Sequence, residues 1–157
     1  VEKVVIDTSV IAAALISKKG GSYKLISHLI DNKLENHVSR EILDEYFRVL
    51  ITKLTEFFPV EVLLEFYVLL ESKSKTINPN EQFDICRDKE DNKFLNTVYA
   101  SKANFLITLD NDLLDLRDEN WEYQIKEHKF KILKPEEFLK MVESSMRNSP
   151  KHFRKTR

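Results

Sequence analysis

A chain of 157 residues, 42% of them hydrophobic, suits one compact domain with a sizeable core and excludes an intrinsically disordered chain. The formal net charge is −1, from 25 Lys/Arg against 26 Asp/Glu, so no global basic bias marks the whole surface for nucleic acid. The only glycines, Gly20 and Gly21, are adjacent, which excludes glycine-rich phosphate loops, and the single cysteine, Cys86, excludes an intramolecular disulfide or a paired-cysteine metal site.

In chain order, Lys3 to Ile6 predicts a short buried strand that ends at Asp7-Thr8-Ser9. Thr8 or Ser9 is placed to cap a helix through Val10 to Ile16, which Lys18-Lys19-Gly20-Gly21 breaks. Ser22 opens a second helix with Tyr23, Leu25, Ile26, Leu29 and Ile30 as its apolar set, and Leu34 to Val38 forms a second strand. Ser39 caps a helix from Arg40 to about Thr52, and Pro59 fits the first turn of another that runs to about Glu71. That second helix is apolar around much of its circumference, for which burial within the fold is the default and an interface the alternative. Thr76-Ile77 reads as a third strand, and the polar stretch Asp84 to Glu90 leads into a helix from Asp91 to about Ala103. Phe105 to Thr108 and Lys131 to Leu133 are the later strands, and Pro135 starts a helix through Met141. Strands alternating with helices imply an α/β fold with a mostly parallel sheet covered on both faces.

The domain is therefore bounded at 1–141, with 142–157 read as a basic tail. From Lys140 onward there are six Lys/Arg and one acid, Glu143, a net +5; the preceding 139 residues carry 19 bases and 25 acids, a net −6. A basic tail of this kind can hold RNA nonspecifically, or simply be solvated. No apolar run reaches membrane-spanning length and no signal-peptide pattern opens the sequence, so a cytoplasmic location without membrane contact is expected.

Four acids stand at the ends of predicted elements: Asp7, Glu45, Asp91 and Asp110. Asp7 ends the first strand and Asp110 follows the fourth; ligands of open α/β sheets bind beyond such carboxyl ends. Carboxylates gathered there repel unless a divalent cation neutralises them, and Mg²⁺ or Mn²⁺ suits oxygen ligands. Each acid also has a plainer reading. Asp7 and Asp91 can cap helices, Glu45 can be an ordinary boundary glutamate, and Asp110 with Asp112 can be turn chemistry. At 100° per residue Glu45 falls on the flank of its helix and Asp44 opposite the apolar face; Asp91 falls on the apolar face of the next helix, with Lys93 outward. Asp88 lies near Asp91 as a supporting acid. Arg48, Lys53, Arg87 and Lys93 read as solvated surface charges, and Trp121 and Tyr123 as aromatics exposed enough to stack on bases.

The stretches Val4-Val5-Ile6-Asp7-Thr8-Ser9-Val10, Ser39-Arg40-Glu41-Ile42-Leu43-Asp44-Glu45-Tyr46, Cys86-Arg87-Asp88-Lys89-Glu90-Asp91-Asn92-Lys93-Phe94-Leu95 and Ala103-Asn104-Phe105-Leu106-Ile107-Thr108-Leu109-Asp110 follow one another over most of residues 3–115. Taken together, this set resembles the PIN-domain nuclease family, and within it the toxin (VapC-like) branch of toxin–antitoxin systems. The resemblance implies a three-layer α/β/α fold and Mg²⁺- or Mn²⁺-dependent endoribonuclease cleavage of single-stranded RNA, leaving a 5′-phosphate and a 3′-hydroxyl. It implies acidic site positions at Asp7, Glu45, Asp91 and Asp110, an extra metal ligand at Asp112, and polar supports at Ser9 and Thr108. It also implies an antitoxin protein covering the cleft, and a homodimer. The pattern departs from two rival classes: a dehalogenase-type phosphatase would carry a second Asp where Ser9 stands, and a receiver domain would carry a pair of acids before its phosphoacceptor strand. A non-catalytic PIN-like module that binds RNA or protein is the alternative reading.

Overall fold

The computed structural model describes residues 1–147; the expected tail residues Lys151, Arg154, Lys155 and Arg157 lie outside the described residues. The chain runs β1 (Glu2–Ile6), α1 (Thr8–Ile16), α2 (Gly21–Ile30), β2 (Leu34–Val38), α3 (Arg40–Lys53), α4 (Val60–Ser72) and β3 (Ser74–Thr76). A 3₁₀ turn (Lys89–Asp91) then leads into α5 (Asn92–Ser101), followed by β4 (Phe105–Ile107), α6 (Asn111–Leu114), β5 (Glu122–Ile125), β6 (His128–Leu133) and α7 (Pro135–Arg147).

The strands form one sheet in the order β3-β2-β1-β4-β6-β5, parallel throughout except for the β5–β6 pair. Helices flank it in the three-layer α/β/α arrangement expected from the sequence. β1 is central, and its Val4, Val5 and Ile6 are fully buried, as an unbroken β-branched run in a covered parallel sheet should be. The chain leaves β1 through α1 and α2 for β2 on one side, and returns from β3 through α5 to β4 on the other. This reversal beside β1 opens a crevice beyond the carboxyl ends of β1 and β4, where ligands of such sheets bind.

Polar side chains fix the rim of that crevice. The β1–β2 ladder ends at the pair Val4↔Asn36, and the Asn36 side chain continues it by accepting from the Ile6 N–H at 3.1 Å. Tyr46 of α3 is fully buried; its hydroxyl donates to the Ile6 carbonyl at 2.5 Å and accepts from Asn36 Nδ2 at 3.3 Å. Both backbone groups of the residue before Asp7 are thus held, and α3 is pinned to the end of β1 one residue after Glu45. On the other side of the crevice, Asn92 Oδ1 accepts from the Ile85 and Cys86 N–H groups, and Asn96 Oδ1 from that of Phe83. These two amides, one helical turn apart, tie the extended segment before the 3₁₀ turn to α5.

Several boundaries differ from the sequence reading. β5 lies in a stretch that reads as polar, although Trp121, Tyr123 and Ile125 alternate there with Glu122 and Gln124; it is an antiparallel edge strand joined to β6 through Lys126, which has φ 51°. β6 starts at His128 and not at Lys131, and α7 runs to Arg147, beyond the expected end at Met141. α5 begins at Asn92 behind a separate 3₁₀ turn and stops where Lys102 turns left-handed at φ 56°. β3 ends at Thr76 with Ile77 just past it. The default of burial for α4 holds only for part of the helix: Leu63 and Leu70 are buried, whereas Val62, Leu64 and Val68 are exposed.

Tyr46→Phe should lower unfolding stability by about 1–3 kcal/mol, because it leaves the buried Ile6 carbonyl without that donor. Urea denaturation measures the change; an unaltered midpoint and slope would contradict the role given to this hydroxyl.

Candidate metal centre

Asp7 takes the N-cap position of α1, yet its carboxylate makes no capping bond. Its Oδ2 accepts from Ser9 Oγ and Thr108 Oγ1, each at 2.7 Å, while the backbone N–H of Asp7 donates to the Ile107 carbonyl at 2.9 Å. Asp7 is 4% exposed. Burial raises its carboxyl above the ordinary carboxylate range; the two hydroxyls oppose this, and the charges of Asp110 and Glu45 add to it.

Asp91 closes the 3₁₀ turn and precedes α5, again without a capping bond. It is 8% exposed, and its buried Oδ2 has no hydrogen-bond partner among the described residues. Burial, a carboxyl hydrogen bond shared with Asp110, and the charges of Asp110, Asp7 and Asp88 push it up to about 8. A carboxylate buried among other acids is costly unless a positive charge offsets it. Asp88, by contrast, is exposed and does cap: its Oδ1 accepts from the Glu90 N–H at 3.0 Å. Asp91 is therefore the inward acid of the pair, and Asp88 shapes the turn that presents it.

Asp110 follows Thr108 at the end of β4 and caps α6, with Oδ1 accepting from the Asp112 N–H at 2.9 Å. Thr108 Oγ1 also accepts from the Asp110 N–H at 2.9 Å, so one buried hydroxyl links Asp110 to Asp7. Ser9 Oγ makes a parallel link by accepting from the Leu109 N–H at 3.1 Å. Ser9 and Thr108 thus lock the ends of β1 and β4 together.

Glu45 enters from α3. Its Oε2 accepts from Thr8 Oγ1, and its Oε1 lies 2.7 Å from Lys93 Nζ. Here the sequence reading is corrected: Lys93 does not project outward as a solvated charge but is buried, with its side chain 8% exposed. Burial alone would lower its ammonium; hydrogen bonds and charges from Glu45 and Glu90 outweigh it and raise the group. Asn92, Lys93, Asn96 and Thr97 are all buried beside the apolar stripe of α5, so this helix is covered on a polar face as well. The polar spacing i, i+1, i+4, i+5 was the available signal for that second buried face.

Asp7, Thr8, Ser9, Glu45, Asp91 and Asp110 line one open cleft of about 420 Å³, with Arg48 and Lys53 on its wall. Asp91 belongs as well to a second grouping, since carboxylate oxygens of Asp88, Asp91 and Asp112 lie within 4.8 Å of one another. One oxygen of Asp112 is taken there by Arg87 at 2.7 Å, and Arg87 also pairs with Asp115 at 2.8 Å. The summed field reaches Cys86: burial, with Asp91, Asp110, Asp112 and Asp88, pushes its thiol up to about 12. Trp121 and Tyr123 do not line the cleft; Tyr123 packs edge-on against Phe130 and Trp121 lies near Arg117. The donor set around Asp91 is all oxygen, anionic and partly buried, which fits a small hard divalent cation such as Mg²⁺ or Mn²⁺.

Residues 3–112 match the model of the PIN domain. The chain is also 41% identical over 143 residues to an uncharacterized protein of Methanocaldococcus jannaschii, MJ1680, a match covering 90% of this chain and 92% of that protein. The chain belongs to the PIN domain family, whose members are generally metal-dependent nucleases.

Asp7 and Asp91 bind protons more readily folded than unfolded, so their contribution to stability is complete below their ordinary value of 3.8 and is lost as pH rises through their folded values, about 8 for Asp91. The thermal midpoint of metal-free protein should fall between about pH 5 and pH 8 and recover on adding Mn²⁺ at the upper end. Asp91→Asn should flatten that slope and raise the metal-free midpoint at pH 8. A wild-type midpoint that neither falls with pH nor responds to Mn²⁺ would contradict the charge crowding described.

Proposed function

We propose that this PIN-domain chain is a metal-dependent endoribonuclease that hydrolyses phosphodiester bonds of single-stranded RNA, as the toxin of a toxin–antitoxin pair. The observation that carries the nuclease reading is the unpartnered, buried Asp91 Oδ2 in a cleft shared with Asp7, Glu45 and Asp110. A plain structural role would have satisfied that oxygen. Mg²⁺ or Mn²⁺ would be held by Asp7, Asp91 and Asp110, with Asp112 as a further ligand at the edge. Such an ion lowers the pKa of water and offsets charge on a pentacovalent phosphate.

The chain's own residues do the remaining work. Ser9 and Thr108 fix one oxygen of Asp7 by hydrogen bonds, so its orientation does not depend on a ligand. The Asp112 N–H does the same for Asp110. Glu45 is held by Thr8 and Lys93 on the facing wall. Arg48 and Lys53 supply positive charge on that wall, which an acidic body needs if a phosphate chain is to enter. The open shape of the cleft suits a polymer threaded past the acids more than a small enclosed substrate. Among the described residues no histidine lines the cleft, which leaves the carboxylates and solvent there for proton transfer.

The toxin assignment rests on the resemblance of the motifs. An antitoxin would be a small protein placing a basic side chain among these carboxylates. A homodimer would use the exposed apolar residues of α4, Val62, Leu64 and Val68. No helix among the described residues is long and apolar enough to cross a membrane.

End-labelled single-stranded RNA incubated with Mn²⁺ should be cut by wild-type protein and left intact in EDTA. Asp7→Asn and Asp91→Asn should each lower the rate by about 10²-fold or more, the scale set by losing one electrostatic stabiliser. Full activity in EDTA or in either variant would refute the mechanism. Intact RNA throughout, with no bound Mn²⁺, would favour the non-catalytic binding module.

A further inference from the structure

The four acids of the cleft are not equivalent, and the difference lies in what already neutralises them. Glu45 has both oxygens engaged: Oε2 by the Thr8 hydroxyl, Oε1 by the Lys93 ammonium at 2.7 Å, with Arg48 3.8 Å from the same oxygen. The Lys93–Glu45 pair is largely shielded from solvent, at 8% and 14% side-chain exposure. Asp91, on the other side, has a buried oxygen that, among the described residues, has no hydrogen-bond partner and no lysine or arginine paired to it. Among the described residues, the fold places a buried ammonium directly on Glu45 and none on Asp91.

From this asymmetry we infer that Lys93 takes the place of a cation at Glu45, so that Glu45 is not a metal ligand and divalent ions bind on the Asp91 side only. The inference rests on the metal-nuclease reading above and assigns a positioning role to a residue that the acidic motif does not include. A divalent ion at Glu45 would have to displace the ammonium. The displaced group would remain on α5 near the incoming ion, with Glu90 at 3.2 Å as its nearest other carboxylate. Like charges in so little solvent repel strongly, and an ion pair broken inside the fold leaves an uncompensated charge. Lys93 therefore keeps the Glu45 carboxylate fixed and unavailable. It does this with a compact ammonium on a flexible stem, a point charge that can stand where a cation would.

Mn²⁺ stoichiometry decides the matter without reference to catalysis. Bound Mn²⁺ is counted by electron paramagnetic resonance and calorimetry on wild type, Glu45→Gln, Lys93→Met, Lys93→Arg and the Lys93→Met/Glu45→Gln double variant. Glu45→Gln and Lys93→Arg should bind as many equivalents as wild type. Lys93→Met should bind one more, and the double variant should lose that extra ion. Loss of an equivalent in Glu45→Gln overturns the inference, as does a folded Lys93→Met protein with no gain. Circular dichroism checks folding; should Lys93→Met not fold, the Glu45→Gln count alone decides. Wild type that binds no Mn²⁺ contradicts the metal-nuclease reading, and a gain of one ion in Lys93→Met would still support the role of Lys93.

Discussion

Carboxylates crowded into a half-buried crevice are the constraint on which the rest of this structure depends. Two unit charges about 4 Å apart repel by about 4 kcal/mol at an effective dielectric near 20, and Asp7, Asp91 and Asp110 line the same cleft. Hydrogen bonds to a charged group contribute about 1.5–3 kcal/mol each. Those from Ser9, Thr108 and the Asp112 N–H therefore match the repulsion in size but do not remove it. The residue of that balance is visible at Asp91, which is pushed up to about 8 and holds one oxygen without a partner.

The fold supplies the geometry that makes the crowding unavoidable. Parallel pairing of β1 with β4 brings Asp7 and Asp110 to neighbouring strand ends, and the side-chain hydroxyls of Ser9 and Thr108 cross-link the two. Tyr46 fastens α3 to the Ile6 carbonyl and so sets Glu45 over the same crevice. Asn92 and Asn96 anchor the segment whose 3₁₀ turn delivers Asp91. Each anchor is a buried polar group with its partners satisfied, in contrast to Asp91 Oδ2 in the same cleft.

Much of this was legible in the sequence because it follows from local pattern. A β-branched run ending in Asp, and a second apolar run ending in Thr-Leu-Asp, predict two buried parallel strands with acids at their carboxyl ends. Helical spacing placed Asp44 outward and Glu45 on the flank, and both lie so. Long-range choices were not legible. Lys93 looked like a surface charge because helical projection about one apolar stripe assumes a single buried face, whereas α5 is covered on two. The capping readings of Asp7 and Asp91 were equally consistent with sequence; only the positions of Ser9, Thr108 and Asp110 show that these carboxylates serve one another's neighbourhood and not their helices. β5 escaped notice because its alternation of Trp121, Tyr123 and Ile125 with Glu122 and Gln124 is short and set between charged residues.

The central claim is that the crevice beside Asp91 is built for a divalent cation. A crystal grown with Mn²⁺ and measured at the manganese absorption edge tests it most directly. The account predicts an anomalous peak bounded by Asp7, Asp91 and Asp110, with Glu45 still bonded to Lys93. Full Mn²⁺ in the crystal with no peak against Asp91 would contradict it.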